Sequence, residues 1–280
     1  MLRKVIMKKP KTIIAIVIGI LTLVAIQCGT LNTLNIFPDS EDIQLGKQID
    51  DQIKKDPKQY PLLTNKPKVK QYVESVGNKI LSSPAIEKRG LYAYQYEIIN
   101  DDSTINAFCT PGGYIYVYTG LMKFIDNEAT LAGVIGHEIA HAERRHATNR
   151  MTKQYGGQIL LGLILGQNPS QVAEVTANLF TGFALLANSR SDESEADEYS
   201  IKYLSTTQYY PGAITGFFEK MLEKKGGKSG GSLERFFSTH PLDEDRISHV
   251  NGILSKMGSQ KPSEANIFSK QYKAIVKELQ

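Results

Sequence analysis

The sequence predicts a mostly helical α+β fold in which a small antiparallel sheet precedes one central helix and packs beside it. Three observations carry this. Residues 131–146, LAGVIGHEIAHAERRH, follow the acidic turn NEAT and keep apolar residues at helical spacing. Between residues 92 and 118 lie three short runs rich in Tyr, Ile, Val and Phe, the last two separated by the turn residues TPGG. Apolar residues recur at intervals of three and four over 40–54 and again over 67–81, as in Val69, Tyr72, Val73, Val76, Ile80 and Leu81.

Taken in order, the chain opens on a basic stretch. Residues 1–28 contain Arg3, Lys4, Lys8, Lys9 and Lys11 and no acid, so the net charge of +4 belongs to this end. With those five set aside, 28 basic and 29 acidic residues remain, a balance that excludes nucleic acid as a partner. Residues 12–26 then run uncharged for fifteen residues. As a helix they span about 22 Å, short of the roughly 30 Å hydrocarbon core, which predicts an export signal rather than a full span. Cys28 stands where a lipoprotein signal carries its lipidated cysteine. Gln27 is larger than the residue usual before such a site, and no charge follows until Asp39. Lipidation at Cys28 and an uncleaved N-terminal anchor therefore both remain open. Either attaches the body of the protein to the outer face of a membrane. Cys109 is the second of two cysteines, and it is either a disulfide partner of Cys28 or a small core residue. At 41% hydrophobic and 22% charged, the composition is that of a globular protein, not a disordered or fibrous one.

The helices at 40–54 and 67–81 are expected to form a lid or scaffold on the core. Strands follow at 92–99, 104–109 and 114–118. The stretch INAFCTPGGYIYVYTG, with Asn106, Ala107 and Phe108 at its start, reads either as an exposed edge that takes a peptide as an added strand or as a plain structural hairpin.

Within the central helix, His137 and His141 stand four residues apart, about 40° around the axis, so both imidazoles share one face. Two neutral imidazoles so placed make half of a tetrahedral zinc site. Glu138, about 100° further around, reaches a water rather than the ion, the zincin arrangement with Glu138 as general base. The spacing H-x-x-G-x-x-H fails after the motif, because Arg144 and Ala147 occupy the places it needs. With the helix continued, His146 falls on the opposite side and is expected to be structural or exposed. A carboxylate from a second helix can complete the ligand set. The stretch at 180–204 reads as that helix, with Glu193 and Asp197 one turn apart, although by composition alone an E-x-x-x-D pattern among many acids is usually a solvated face. Glu195 and Glu198 fit the solvated face best. The apolar run at 159–165 is too short to span a membrane and is expected to be a buried or lid helix. A Gly-rich stretch at 226–232 supplies flexibility. Its GKS is not a phosphate loop, because Leu222 stands where the upstream glycine is needed.

HEIAHAERRH, with SRSDESEAD after it, NAFCTPGGYIYVYTGL before it and STHPLDEDRI near the end, resembles the HtpX, BepA and CAAX-protease superfamily of gluzincins, peptidase family M48, and within it the periplasmic BepA and LoiP branch. The resemblance covers residues 46–250. It implies a zincin-type metallopeptidase fold with one Zn²⁺ on His137, His141 and Glu193, and Glu138 as base. It further implies Asp197 as acceptor of a ligand ring's outer N–H, and Arg190 as a brace for the second helix. For His240 it suggests either a fourth, autoinhibitory ligand or a donor to the tetrahedral intermediate, with Arg246 anchoring the His240 loop. The organisation expected is a signal or anchor at 1–28, a peptidase domain at 29–258 and a helical tail at 259–280. That tail is too short for the helical-repeat domain of BepA, which favours LoiP-like compactness. The implied activity is zinc-dependent endopeptidase action on misfolded or misassembled polypeptides at the periplasmic face of the cell envelope, with envelope assembly factors as partners. The alternative is a holdase or assembly factor with a latched zinc site. A prenyl-protein protease is weaker, since it needs a multi-span chamber.

Overall fold

The computed structural model describes residues 35–154, 187–226, 233–241 and 244–280. Cys28 and the signal segment, the run at 159–165, the stretch at 180–186 and most of the Gly-rich stretch at 226–232 lie outside the described residues.

Helix α1, Asp39–Lys55, buries Leu45, Ile49 and Ile53 and carries three acids in its first turn and two lysines in its last, charges that oppose the helix dipole at both ends. Helix α2, Pro67–Leu81, starts on a proline, whose fixed φ suits a first helical position, and buries Val69, Val73, Val76 and Ile80. Both act as scaffold, one on each face of a three-stranded sheet of β1 (Gln95–Ile99), β2 (Ala107–Thr110) and β3 (Tyr114–Tyr118). Alternation along β3 explains the layering. Ile115 and Val117 point to the core shared with α2, while Tyr116 and Tyr118 point to the cluster of α1 residues and Phe108.

The sequence pattern predicts strands that are antiparallel throughout. β2 and β3 are antiparallel, joined by a tight turn in which Gly112 takes φ 75°, a conformation that favours glycine. β1 instead runs parallel to β3, because β3 inserts between the other two in the order β1-β3-β2. The sheet is therefore mixed. β2 is left as an edge.

After α3 (Thr119–Phe124) comes the central helix α4, Glu128–Glu143, capped by the Asn127 side chain on the Thr130 N–H. Every residue of α4 is buried. It consequently shows no polar face, the signature of a helix enclosed on all sides. A Cβ at Gly133 would come within 2.7 Å of the Ile214 backbone nitrogen, so glycine is what allows so close an approach. The chain continues into α5 (residues 146–154), α6 (Arg190–Leu204), α7 (Ile214–Gly226), α8 (Glu234–Thr239), α9 (Glu244–Met257), α10 (Glu264–Ile267) and α11 (Ser269–Val276). The sequence pattern starts α6 near residue 180. Residues 187–189 are not helical, and Ser189 with Asp192 forms a capping box that starts the helix at Arg190. No helix among the described residues is long and apolar enough to cross a membrane.

Candidate metal centre

α4 and α6 pack side by side and place their charged residues face to face. His137 and His141 project from α4 with their Nε2 atoms 3.0 Å apart. From α6, Glu193 brings Oε1 to 3.2 Å from His141 Nε2 and Oε2 to 3.4 Å from His137 Nε2. His240, at the C-terminal cap of α8, brings Nδ1 to 3.0 Å from Glu193 Oε1. These four side chains are buried, and one ligand atom from each lies within 4.8 Å of the others.

The donor set fits zinc. Metal–ligand bonds of about 2.0–2.1 Å in a tetrahedron put neighbouring ligand atoms about 3.3–3.4 Å apart, and this polygon of imidazole nitrogens and a carboxylate is close to that. Charge agrees with geometry. Burial alone would strip the proton from His137, yet the Glu193 and Asp197 carboxylates outweigh it and hold that imidazole up at about 9. Burial, together with neighbouring His137, holds His141 neutral, well below the ordinary histidine value. Glu193 stays ionised in spite of burial because His240 and His137 pull its value well down. A cation entering here displaces a proton from His137 and meets a carboxylate already charged.

The outer nitrogens are engaged too. His137 Nδ1 lies 2.9 Å from Asp197 Oδ1. Arg246, in the first turn of α9, grips Asp197 through Nε at 2.8 Å and Nη2 at 2.7 Å, meets Glu193 at 2.8 Å through Nη1, and donates to the Pro241 carbonyl beside His240. Arg190, expected to brace α6, is exposed at its first position on an open surface cleft with Ser194 and Pro241, and ion pairs to α6 come from Arg246, Arg144 and Arg150.

Glu138 is 1% exposed, and its Oε1 lies 3.6 Å from His240 Nε2. Among the described residues no N–H or O–H donor takes either of its oxygens; the neighbour it does have is the Cys109 thiol, a free cysteine pushed well above its ordinary value by burial and by that carboxylate. The cleft in front is lined by Asn106, Phe108, Cys109 and Thr110 at the β2 edge and by Tyr118, Arg150, Asn188 and Arg235. The centres of water molecules can range over about 50 Å³ of it, and it is partly open to solvent. Asn106 keeps a buried side-chain oxygen without a hydrogen-bond partner among the described residues, and Phe108 stacks on Tyr116. Ala107, between them, turns its side chain into the core, as alternation along a strand requires.

Three participants escaped the sequence. Asn188, just ahead of the α6 cap, places its amide nitrogen 2.6 Å from Glu193 Oε1 and 3.2 Å from both His141 Nε2 and His240 Nδ1, while its carbonyl accepts from Arg150. His146 is 2% exposed, with Nδ1 2.6 Å from His141 Nδ1. It gets there because α4 stops at Glu143 and Arg145 takes φ 57°, turning the chain back, whereas the continued helix would carry His146 to the far side. Glu195, expected on a solvated face, is half-buried and meets both His146 Nε2 at 3.2 Å and Arg144 Nε at 2.7 Å. S-x-x-D ahead of α6 was the legible cue to Asn188's neighbourhood; R-R-H carries no turn residue to announce the bend.

Comparison with known proteins agrees with this geometry. The chain is 30% identical over 206 residues to the beta-barrel assembly-enhancing protease of Escherichia coli (strain K12), covering 70% of this chain and 41% of that one. It is 35% identical over 150 residues to the mitochondrial metalloendopeptidase OMA1 of Arabidopsis thaliana, covering 53% and 29%. With OMA1 of Saccharomyces cerevisiae (strain ATCC 204508 / S288c) it shares 28% over 207 residues, covering 71% and 58%. The chain thus spans less than two thirds of the length of these relatives. The profile of Peptidase family M48 matches residues 67–254, well over half of the sequence, and the chain belongs to that family.

Proposed function

We propose that this chain is a zinc-dependent endopeptidase of the cell envelope that cleaves misfolded or misassembled proteins. The observation that carries the reading is Glu138, a buried carboxylate with both oxygens free of N–H and O–H donors among the described residues, set between a four-donor metal site and the edge of a sheet. Zinc held by His137, His141 and Glu193 supplies a Lewis acid that lowers the pKa of water and polarises a carbonyl. Glu138 takes the proton of the attacking water as its oxygen adds to the scissile carbonyl carbon. It gives that proton to the nitrogen as the C–N bond breaks, releasing acid and amine and restoring the carboxylate. A peptide added along the outer edge of β2 pairs main chain with main chain, with the unpartnered Asn106 oxygen ready to accept one of its N–H groups.

His240 is the gate in this reading. It sits against Glu193 and 3.6 Å from Glu138, between the metal ligands and the base, so substrate enters when the His240 loop swings out. The exported character of the N terminus supports an envelope location, with Cys28 lipidated or the segment retained as an anchor, and one group of relatives is named for enhancing β-barrel assembly. Glu138→Gln should keep its zinc and lose about 10²-fold or more of casein turnover; turnover equal to the wild type at matched zinc content removes the proposal.

The seating of His240 against Glu193 also favours a second reading, a holdase or assembly factor whose zinc site stays latched. Complementation separates the two: full rescue of a deletion strain by the Glu138→Gln form supports binding, and failure to rescue supports hydrolysis.

A further inference from the structure

His146 is the one histidine near the centre that offers no ligand atom to it, and its placement is costly. Arg145, immediately before it, is a non-glycine residue at φ 57°. That turn is held by two contacts from Arg145 Nε, to Asp42 Oδ2 at 2.5 Å and Asp39 Oδ1 at 3.1 Å, and by Nη2 to the Phe37 carbonyl at 2.5 Å. The result of the bend is a buried contact of 2.6 Å between His146 Nδ1 and His141 Nδ1.

Two ring nitrogens at that distance share one proton, and its owner follows from the other atoms. If His141 gives the lone pair of Nε2 to a metal, its proton sits on Nδ1 and donates. His146 Nδ1 must then be the bare acceptor, so a neutral His146 carries its proton on Nε2. That nitrogen faces Glu195 Oε2 at 3.2 Å, and the other oxygen of Glu195 accepts from Arg144 Nε at 2.7 Å. Every group in the chain has one allowed role.

We infer that His146 is a positioning residue: it accepts the outer N–H of His141, fixes that ring in the Nε2-ligating tautomer, and is itself fixed by Glu195. This rests on His141 being a zinc ligand. An imidazole is an unusual acceptor here, since ligand histidines more often donate to a carboxylate, a carbonyl or water.

The test uses the full chain, zinc-loaded and then titrated with a competing chelator. His146→Leu removes the acceptor and should weaken zinc by about 10–100-fold. His146→Asn places an oxygen where Nδ1 sits and should stay within a few-fold of wild type. Recovery by Asn and not by Leu is what a packing role does not produce. In the wild type, nitrogen-15 spectra of the histidine rings should show the proton of His141 on Nδ1 and that of His146 on Nε2. Equal zinc affinity in all three proteins, loss in Asn as severe as in Leu, or a His146 proton on Nδ1 overturns the inference. Absence of stoichiometric zinc from the wild type would instead defeat the metal site itself, so the two failures are distinguishable.

Discussion

His137 and His141 leave the same helix one turn apart, yet they are held by opposite kinds of support. Behind His137 stands a buried ion pair, Asp197 with Arg246, whose side chains are 0% and 4% exposed. Behind His141 stands a relay that opens to solvent, His146 to Glu195 to Arg144, the last two 37% and 32% exposed. A buried charge pair depends on both partners being present, because either alone is an uncompensated charge in a poor dielectric. The outer end of the relay is forgiving, since water replaces Glu195 or Arg144 when either is removed. The two rings therefore should respond very differently to the same kind of damage.

The largest expected effect comes from cutting the buried arm. Arg246→Met keeps the length of the side chain but leaves Glu193 and Asp197 without their shared cation, and also loses its stacking over the Phe218 ring at 4.4 Å. Urea unfolding of the zinc-free protein should show a loss of about 3–5 kcal/mol, against at most about 1 kcal/mol for Arg144→Met on the open arm. Equal losses would erase the distinction. One step smaller is Asp197→Asn, which keeps an oxygen facing His137 Nδ1 while Arg246 loses its bidentate carboxylate. A loss of about 1.5–3 kcal/mol is expected, with zinc affinity down about 10–100-fold by chelator competition.

This asymmetry was half visible in the sequence. Helical geometry alone puts His137, Glu138 and His141 on adjoining sides of one helix, but the one-turn spacing of Glu193 and Asp197 on a second is also that of a solvated face, so the buried arm, Arg246 included, was legible through the family resemblance and not through spacing. The open arm was hidden, because continuing α4 through Arg144 and Arg145 sends His146 the wrong way, and a left-handed arginine gives no warning in composition. Its hold on Asp42 spans 103 residues of chain, a tertiary contact that no local pattern encodes. The same limit applies to the sheet. Alternation locates β1, β2 and β3, but the insertion of β3 between its neighbours is a matter of long-range pairing. Burial of α4 on every side likewise depends on α2, α6 and α7 arriving around it.

The smallest effect is the most discriminating. Hydrogen bonding from His146, reinforced by Arg144, holds the Glu195 carboxyl down at about 2 against an ordinary value of 4.5. A depressed carboxyl stabilises the fold above its unfolded value and loses that contribution as pH falls toward its folded one. Glu195→Ala should therefore cost at most about 1 kcal/mol near neutral pH, with water and salt screening keeping it small for a group this exposed. The gap to wild type should hold from pH 7 to pH 5, shrink below about 4.5, and close near pH 2. Raising the salt from 0.05 to about 1 M should narrow it as well, because the Debye length falls to about 3 Å. Arg246→Met, enclosed in protein, should keep its full deficit in the same salt series. A Glu195→Ala deficit that ignored both salt and acid would mean that the open arm is shielded from solvent to the same degree as the buried one, and the contrast between the two rings would have to be given up.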